Sequence, residues 1–252
     1  MRLRLIRHAT LRVEVGGRRV LVDPQLDPAG TRPAVANTAN DRGNPLVELP
    51  EPAQSIAAGV EAVLVTHLHA DHLDATAVEV LAKDVPVLCQ PPDARALREH
   101  GFADVRPIAE ALEWDTLRVA RTDGRHGTGE IGERMAPVSG FVITAPGEPT
   151  LYIAGDTIWC DEVREAVDRH QPEVIVANAG GARFVEGDPI TMTADDVVAL
   201  ARHAAGARIV AVHLEAVNHC LETRADLRAR LRHEQLEERV SVPVDGDELP
   251  LP

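Results

Sequence analysis

The sequence predicts one domain over residues 1–252, built from two β-sheets packed face to face with helices outside. Three observations predict it. Each half of the chain runs through several short apolar stretches of strand length and then through strand–helix units. No linker-like or low-complexity stretch separates the halves. The 44% apolar content is carried almost wholly by Val, Leu, Ile and Ala, since aromatics make up only 2%. At 252 residues such a chain can bury a sizeable core.

The opening reads as strands at Arg2–Ile6, Leu11–Val15 and Arg19–Val22, with Gly16-Gly17 turning a hairpin. From Pro24 to Pro52 the chain is rich in Pro, Asn, Asp and Gly. A loop that long inside a compact domain is expected to be functional or disordered. Ala62–Val65 is a buried strand, followed by a helix that Asp74 caps. A strand at Val85–Cys89, a helix over Asp93–His100 and short strands near Val105 and Leu112 come next, then a strand at Leu117–Arg121 and a glycine-rich loop from Asp123 to Pro137.

The second half opens with a hairpin, Val138–Ala145 and Thr150–Ala154, turning at Pro146-Gly147. Val163, Ala166 and Val167 give the segment Asp161–His170 one apolar helical face, and Val174–Ala177 is a buried strand. Thr193 with Asp196 forms the signature of a capping box ahead of Val197, Leu200, Ala201 and Ala204. Ile209–Val212 is the last clear core strand, and a charged helix runs from Thr223 to about His233.

The segment Thr66-His67-Leu68-His69-Ala70-Asp71-His72 places three imidazoles and a carboxylate on a strand-to-helix loop at the carboxyl end of a strand. Sites in α/β proteins concentrate there. In extended chain, alternate side chains share a face, so His67 and His69 can converge on one ion. Asp71 and His72 fall in the turn and cannot easily reach the same ion, which a second ion resolves. Further ligands should also lie at strand ends, and His126, Asp156 and His213 do. Taken singly, each could be an ordinary loop or turn residue; their joint placement after buried strands favours ligation. Imidazoles and carboxylates suit Zn²⁺, Mn²⁺ or Fe²⁺, and two such ions can share a hydroxide near neutral pH and polarise the oxygen it attacks.

These ordered motifs, His67-x-His69-x-Asp71-His72, His126, Gly155-Asp156-Thr157 and His213, resemble those of the metallo-β-lactamase superfamily, and Val22-Asp23-Pro24 is similar to its early strand ending in Asp. The likeness covers essentially the whole chain. With Ile6-Arg7-His8-Ala9-Thr10, it extends to the ascorbate-6-phosphate-lactonase-like branch of metal-dependent hydrolases. The resemblance implies an αββα sandwich with mixed sheets and a site at one edge. It implies one ion on His67, His69 and His126, a second on Asp71, His72 and His213, and Asp156 bridging them. The implied activity is hydrolysis of a small ester-like substrate: a lactone, thioester, amide or phosphate ester.

Around that centre, Asp71 and His219 are the catalytic candidates. His219 can protonate a leaving group, replace His213 as ligand, or cap its loop; His213 is preferred as ligand because it ends a strand. His8, Asn178 and Glu215 are candidates to meet substrate, with a strand-end polar residue, a tight turn and a solvated carboxylate as the plainer alternatives. Glu215 could instead orient a ligand imidazole. Asp23 is expected to be structural.

Other classes are weaker. A di-iron centre reducing oxygen or nitric oxide could use these ligands, but no electron-supplying flavodoxin-like domain follows. A non-catalytic metal scaffold is opposed by the complete ligand set. The net charge of −14 argues against general nucleic-acid binding. Cys89, Cys160 and Cys220 are odd in number and far apart, so no disulfide framework is expected. With no secretory h-region or membrane span in the sequence, a cytoplasmic protein is expected, acting on a small molecule and possible as a homo-oligomer.

Overall fold

The structure is a computed structural model that describes residues 1–250. Strands β1 (Arg2–Arg7), β2 (Thr10–Val15), β3 (Arg18–Val22), β4 (Ala62–Val65), β5 (Val87–Cys89) and β6 (Val105–Pro107) lie side by side in chain order. The second sheet holds β7 (Ala111–Trp114), β8 (Leu117–Asp123), β9 (Ser139–Thr144), β10 (Leu151–Ile153), β11 (Val174–Asn178), β12 (Arg208–Val212) and β13 (Val240–Ser241), again in order. A last strand, β14 (Glu248–Pro250), returns to pair antiparallel with β1. Each sheet begins antiparallel and ends parallel: β3 to β6 run parallel in the first, β10 to β13 in the second.

Alternation along the strands explains the layers. In β4, Ala62 and Leu64 point between the sheets, whereas Val63 and Val65 face helices. In β12, Val210 and Val212 face inward, and Ile209 and Ala211 face helices. Such strands are apolar on both faces, as strands covered on both sides must be. The central core joins Leu3, Leu5, Leu11 and Val13 of one sheet to Phe141, Ile143, Leu151 and Val176 of the other. Helices α1 (Ala53–Ala57), α2 (Ala75–Val80) and α3 (Ala94–Glu99) cover the first sheet; α5 (Asp161–His170), α6 (Ala194–His203) and α7 (Arg224–Glu234) cover the second. The expected αββα sandwich of two mixed sheets is what forms.

The expected caps are present. Asp74 accepts from Ala77 N at 2.9 Å at the start of α2, and Thr193 with Asp196 closes a reciprocal capping box on α6. Several elements differ from expectation. A helix, α4 (Gly129–Met135), lies inside the glycine-rich loop, where Gly129 and Gly132 lower its intrinsic helix propensity. The five-residue α1 and the short strands β13 and β14 follow Ile209–Val212 or precede β4 without a periodic signal long enough to read. Among the described residues, no helix is long and apolar enough to cross a membrane.

Candidate metal centre

Every candidate ligand stands just beyond the carboxyl end of a strand: His67 to His72 after β4, His126 after β8, Asp156 after β10 and His213 after β12. The parallel halves of the two sheets end on the same edge, which is why residues so distant in sequence meet. Tight local turns aim them. His8, Asp23, His213 and Glu215 all hold positive φ (60°, 44°, 65° and 65°), a conformation that costs energy outside glycine and clusters at functional sites. Gly155, at φ 69°, precedes Asp156, and a Cβ there would sit 2.6 Å from the Ser139 carbonyl.

The side chains gather into three overlapping groups: His67, His69 and His126; His67, His72 and Asp156; and His8, Asp71, His72 and His213. Asp156 Oδ2 lies 3.3 Å from His72 Nε2, 3.4 Å from His126 Nε2 and 3.9 Å from His67 Nε2. Its Oδ1 lies 3.3 Å from His213 Nε2, which is 3.5 Å from Asp71 Oδ2. Ligand atoms around a tetrahedral zinc-sized ion, with bonds of about 2.0–2.2 Å, stand roughly 3.3–3.6 Å apart. His67 Nε2 and His69 Nδ1 are closer, at 2.8 Å. The donor set therefore fits divalent cations, and Asp156 reaches both groups.

The outward nitrogens strengthen that fit. Nδ1 of His72 meets Asp23 Oδ2 at 2.9 Å, His126 Nδ1 meets the Ile190 carbonyl at 2.7 Å, His67 Nδ1 meets Thr66 Oγ1 at 3.1 Å and His213 Nδ1 meets Cys220 Sγ at 3.4 Å. Outer partners of this kind fix which ring nitrogen faces a metal. In each case Nε2 is left pointing inward, and Nε2 of both His72 and His213 is buried without a hydrogen-bond partner.

The electrostatics are those of a cation site. Burial pushes His72 down, but Asp156, Asp23 and Asp71 outweigh it and raise it to about 10. Burial also works against His213, yet Asp156 and other neighbours carry it well above the ordinary imidazole value. Burial lowers His67, His69 and His126. Burial opposes ionisation of Asp71 and Asp156 too, and the charges of His72 and His213 overcome it, holding both well below the carboxylate range.

A cavity of about 440 Å³ opens over this cluster. Its floor is His69, Asp71, His126 and Asp156; Val35, Met135, Phe184 and Val217 form apolar walls; His219 and Arg32 complete it. His219 is only 6% exposed, lies against the Phe184 ring and leaves Nδ1 unpaired. It stands apart from all three ligand groups, whereas His213 is inside one.

The three residues expected to meet substrate are placed elsewhere. His8 is fully buried, with Nε2 3.1 Å from Asp71 Oδ2 and its ring 3.6 Å from that of His213. Asn178 donates from Nδ2 to Asp156 Oδ1 at 2.6 Å, orienting that carboxylate. Glu215 accepts from the Arg224 backbone at 2.8 Å and pairs with its guanidinium at 2.6 Å, fastening the start of α7. His8 and Glu215 sit in positive-φ turns, and Asn178 ends β11 beside Asp156; among the described residues none of the three lines the cavity. Asp23, expected to be structural, is also an outer partner of the ligands, accepting from Thr66 N and Oγ1 at 2.8 Å each. Phe184, Met135 and the Cys220 contact carried no sequence signal.

Residues 18–214 match the family model described as the β-lactamase superfamily domain. The chain belongs to the metallo-β-lactamase superfamily. Within that superfamily it is 36% identical over 250 residues to the UPF0173 protein YddR of Bacillus subtilis, covering 98% of each chain. The crystal structure of a possible metal-dependent hydrolase from Veillonella parvula superposes with a TM-score of 0.96 at 34% identity, over 100% of this chain and 99% of that one. The isothiocyanate hydrolase from Delia radicum gut bacteria superposes with a TM-score of 0.95 at 35% identity, with the same coverage.

Proposed function

We propose that this metal-dependent hydrolase works with two divalent cations, most simply zinc, and acts on a small, uncharged substrate with an electrophilic carbon. One cation falls to His67, His69 and His126, the other to Asp71, His72 and His213, with Asp156 shared. Bound there, the cations supply an activated water and a positive charge for the atom that gains electron density. The observation that carries this assignment is the cavity floor: His69 and His126 of one group, Asp71 of the other and the shared Asp156 line the base of a cleft with apolar walls.

The walls narrow the substrate class. Among the described residues, Arg32 is the one arginine or lysine lining the cavity; its Nε lies 3.0 Å from Asp27 Oδ2, and its Nη2 is buried without a hydrogen-bond partner. A lactone, thioester or amide with an apolar arm fits against Val35, Met135, Phe184 and Val217, and these apolar walls favour it over a phosphate ester. The relative that takes isothiocyanates adds that group to the class, by R–NCS + H₂O → R–NH₂ + COS. His219 faces the cleft without holding a ligand position, so its neutral imidazole is placed to take a proton from the attacking water and pass it to the departing amine or alkoxide.

The test combines elemental mass spectrometry with a panel of aryl and alkyl isothiocyanates, lactones, thioesters and phosphomonoesters. About two zinc or manganese ions per chain and turnover of a carbon-centred substrate support the assignment. His219→Asn should lower kcat by about 10²-fold or more with metal content intact. Iron with oxygen consumption, or activity confined to phosphomonoesters, overturns it.

A further inference from the structure

The long loop between β3 and α1 is held over the cavity by one side chain that lies outside the ligand set. The loop closes at its base through paired backbone hydrogen bonds between Arg32 and Asn44, both 2.8 Å, and one between Gly30 N and the Pro45 carbonyl at 2.8 Å. Its first part, Arg32 to Val35, and Asn44 line the cavity opposite the metal floor. At its tip, Val185 N donates to the Asn37 carbonyl at 2.7 Å. Between them, Asn218 reaches the loop at four residues, beside the loop's own bonds from Thr38 Oγ1 to the Val35 and Asn40 carbonyls at 2.7 and 3.1 Å.

Asn218 is 1% exposed and its amide is saturated. Oδ1 accepts from Val35 N at 2.9 Å and from Asn44 Nδ2 at 2.8 Å. Nδ2 donates to Thr38 Oγ1 at 2.6 Å and to the Asn40 carbonyl at 2.9 Å, with the Val35 carbonyl more distant at 3.4 Å. A carboxamide has two N–H donors and an oxygen with two lone pairs, so its capacity is fully used. The backbone joins in: Asn218 N donates to Asn44 Oδ1 at 2.9 Å, and Asn40 Nδ2 donates to the Asn218 carbonyl at 2.8 Å. The next residue in the chain is His219, which faces the same cavity.

We infer that Asn218 is a positioning residue that clasps residues 32–44 into place as the outer wall of the cavity, so that substrate affinity depends on it while the metal floor does not. This rests on the assignment of the cavity as the substrate site. The physical reason for an asparagine is that the loop offers Asn218 both donors (Val35 N, Asn44 Nδ2) and acceptors (Thr38 Oγ1, Asn40 O). Aspartate has the same shape but loses both N–H groups and sets a charged oxygen against carbonyls; alanine loses every side-chain bond. With the clasp gone, the loop keeps its base, the Asn37 tie and the two bonds made by the backbone of residue 218, and its middle is freer to open locally.

The test compares Asn218→Asp and Asn218→Ala with the unaltered chain. Arg42 is exposed and precedes Gly43, so trypsin can cut the loop there, while the Arg32-Pro33 bond resists it. Both variants should keep their metal content, be cut at Arg42 about tenfold faster, and show KM raised about tenfold with kcat within threefold, as loss of one or two net hydrogen bonds implies. Should either variant fail to fold, Thr38→Val and Asn40→Ala remove partners from the loop side and should move cleavage and KM in the same direction by less. Unchanged cleavage at Arg42, or a fall in kcat at constant KM, overturns the inference. Cleavage does not depend on turnover: faster cutting in a protein inactive on the whole panel would leave the clasp standing and sink the hydrolase assignment instead.

Discussion

His72 Nδ1 stands 2.9 Å from Asp23 Oδ2, while Asp23 also takes the backbone N–H and hydroxyl of Thr66 at 2.8 Å each. One buried carboxylate at the end of β3 thus fixes both the start of the ligand loop and the ring orientation of its last histidine. Asp23→Asn should lower metal affinity 10–100-fold, the usual cost of losing such a partner. Chelator competition followed by elemental analysis measures this. Wild-type retention would reduce Asp23 to a purely structural residue.

Metal uptake should expel protons. His72 is raised to about 10 by Asp156, Asp23 and Asp71 working against burial, so at pH 7 the metal-free protein carries a proton where an ion must bind. Apparent affinity should rise with pH, and calorimetry in buffers of different ionisation enthalpy should report at least one proton released per chain. In the metal-free protein the sign of stability runs the other way. The contribution of protonated His72 is complete below about pH 6.5 and is lost as pH rises through about 10. A buffer-independent heat at pH 7 would contradict both statements.

Gly180 should tolerate no side chain. A Cβ there would lie 2.2 Å from the His213 carbonyl and 2.9 Å from Cys220 Cβ. The first contact is with backbone, so Gly180→Ala must move the turn that carries His213. Substoichiometric metal and a lowered melting temperature are the expected result; full occupancy at an unchanged melting temperature would refute it.

Thr193 caps α6 through a reciprocal box with Asp196. Thr193→Ala should cost about 1 kcal/mol in urea unfolding, with no change in m-value. Metal content should not change, because α6 begins on the outer layer, away from the ligand groups.

The candidate ligands were legible because they follow a simple rule: a buried apolar run ends, and His or Asp stands at or just after its end. Asp156 and His213 obey it, His67 follows one residue later, after Thr66, and the sandwich follows from the same alternation of apolar positions. What the sequence hid is orientation. Whether His8 faces the cleft or Asp71 depends on a φ of 60° that no neighbouring residue announces. Asn218 was equally silent, since its partners at Val35, Thr38, Asn40 and Asn44 lie 174 to 183 residues away. Helix α4 was hidden by its own glycines.

Four of the five ligand imidazoles are braced from behind, by Asp23, Thr66, Ile190 and Cys220. Among the described residues, the His69 ring has no such outer partner: its one hydrogen-bond contact is His67, and it sits on the cavity floor beside His126, partly open to solvent. An imidazole held on one side alone can swing without breaking anything else. With two ions bound as proposed, the one leaning on His69 should exchange with solution on the shorter timescale, and the one enclosed by His72 and His213 should stay. Partial chelation should yield a singly loaded protein rather than a statistical mixture.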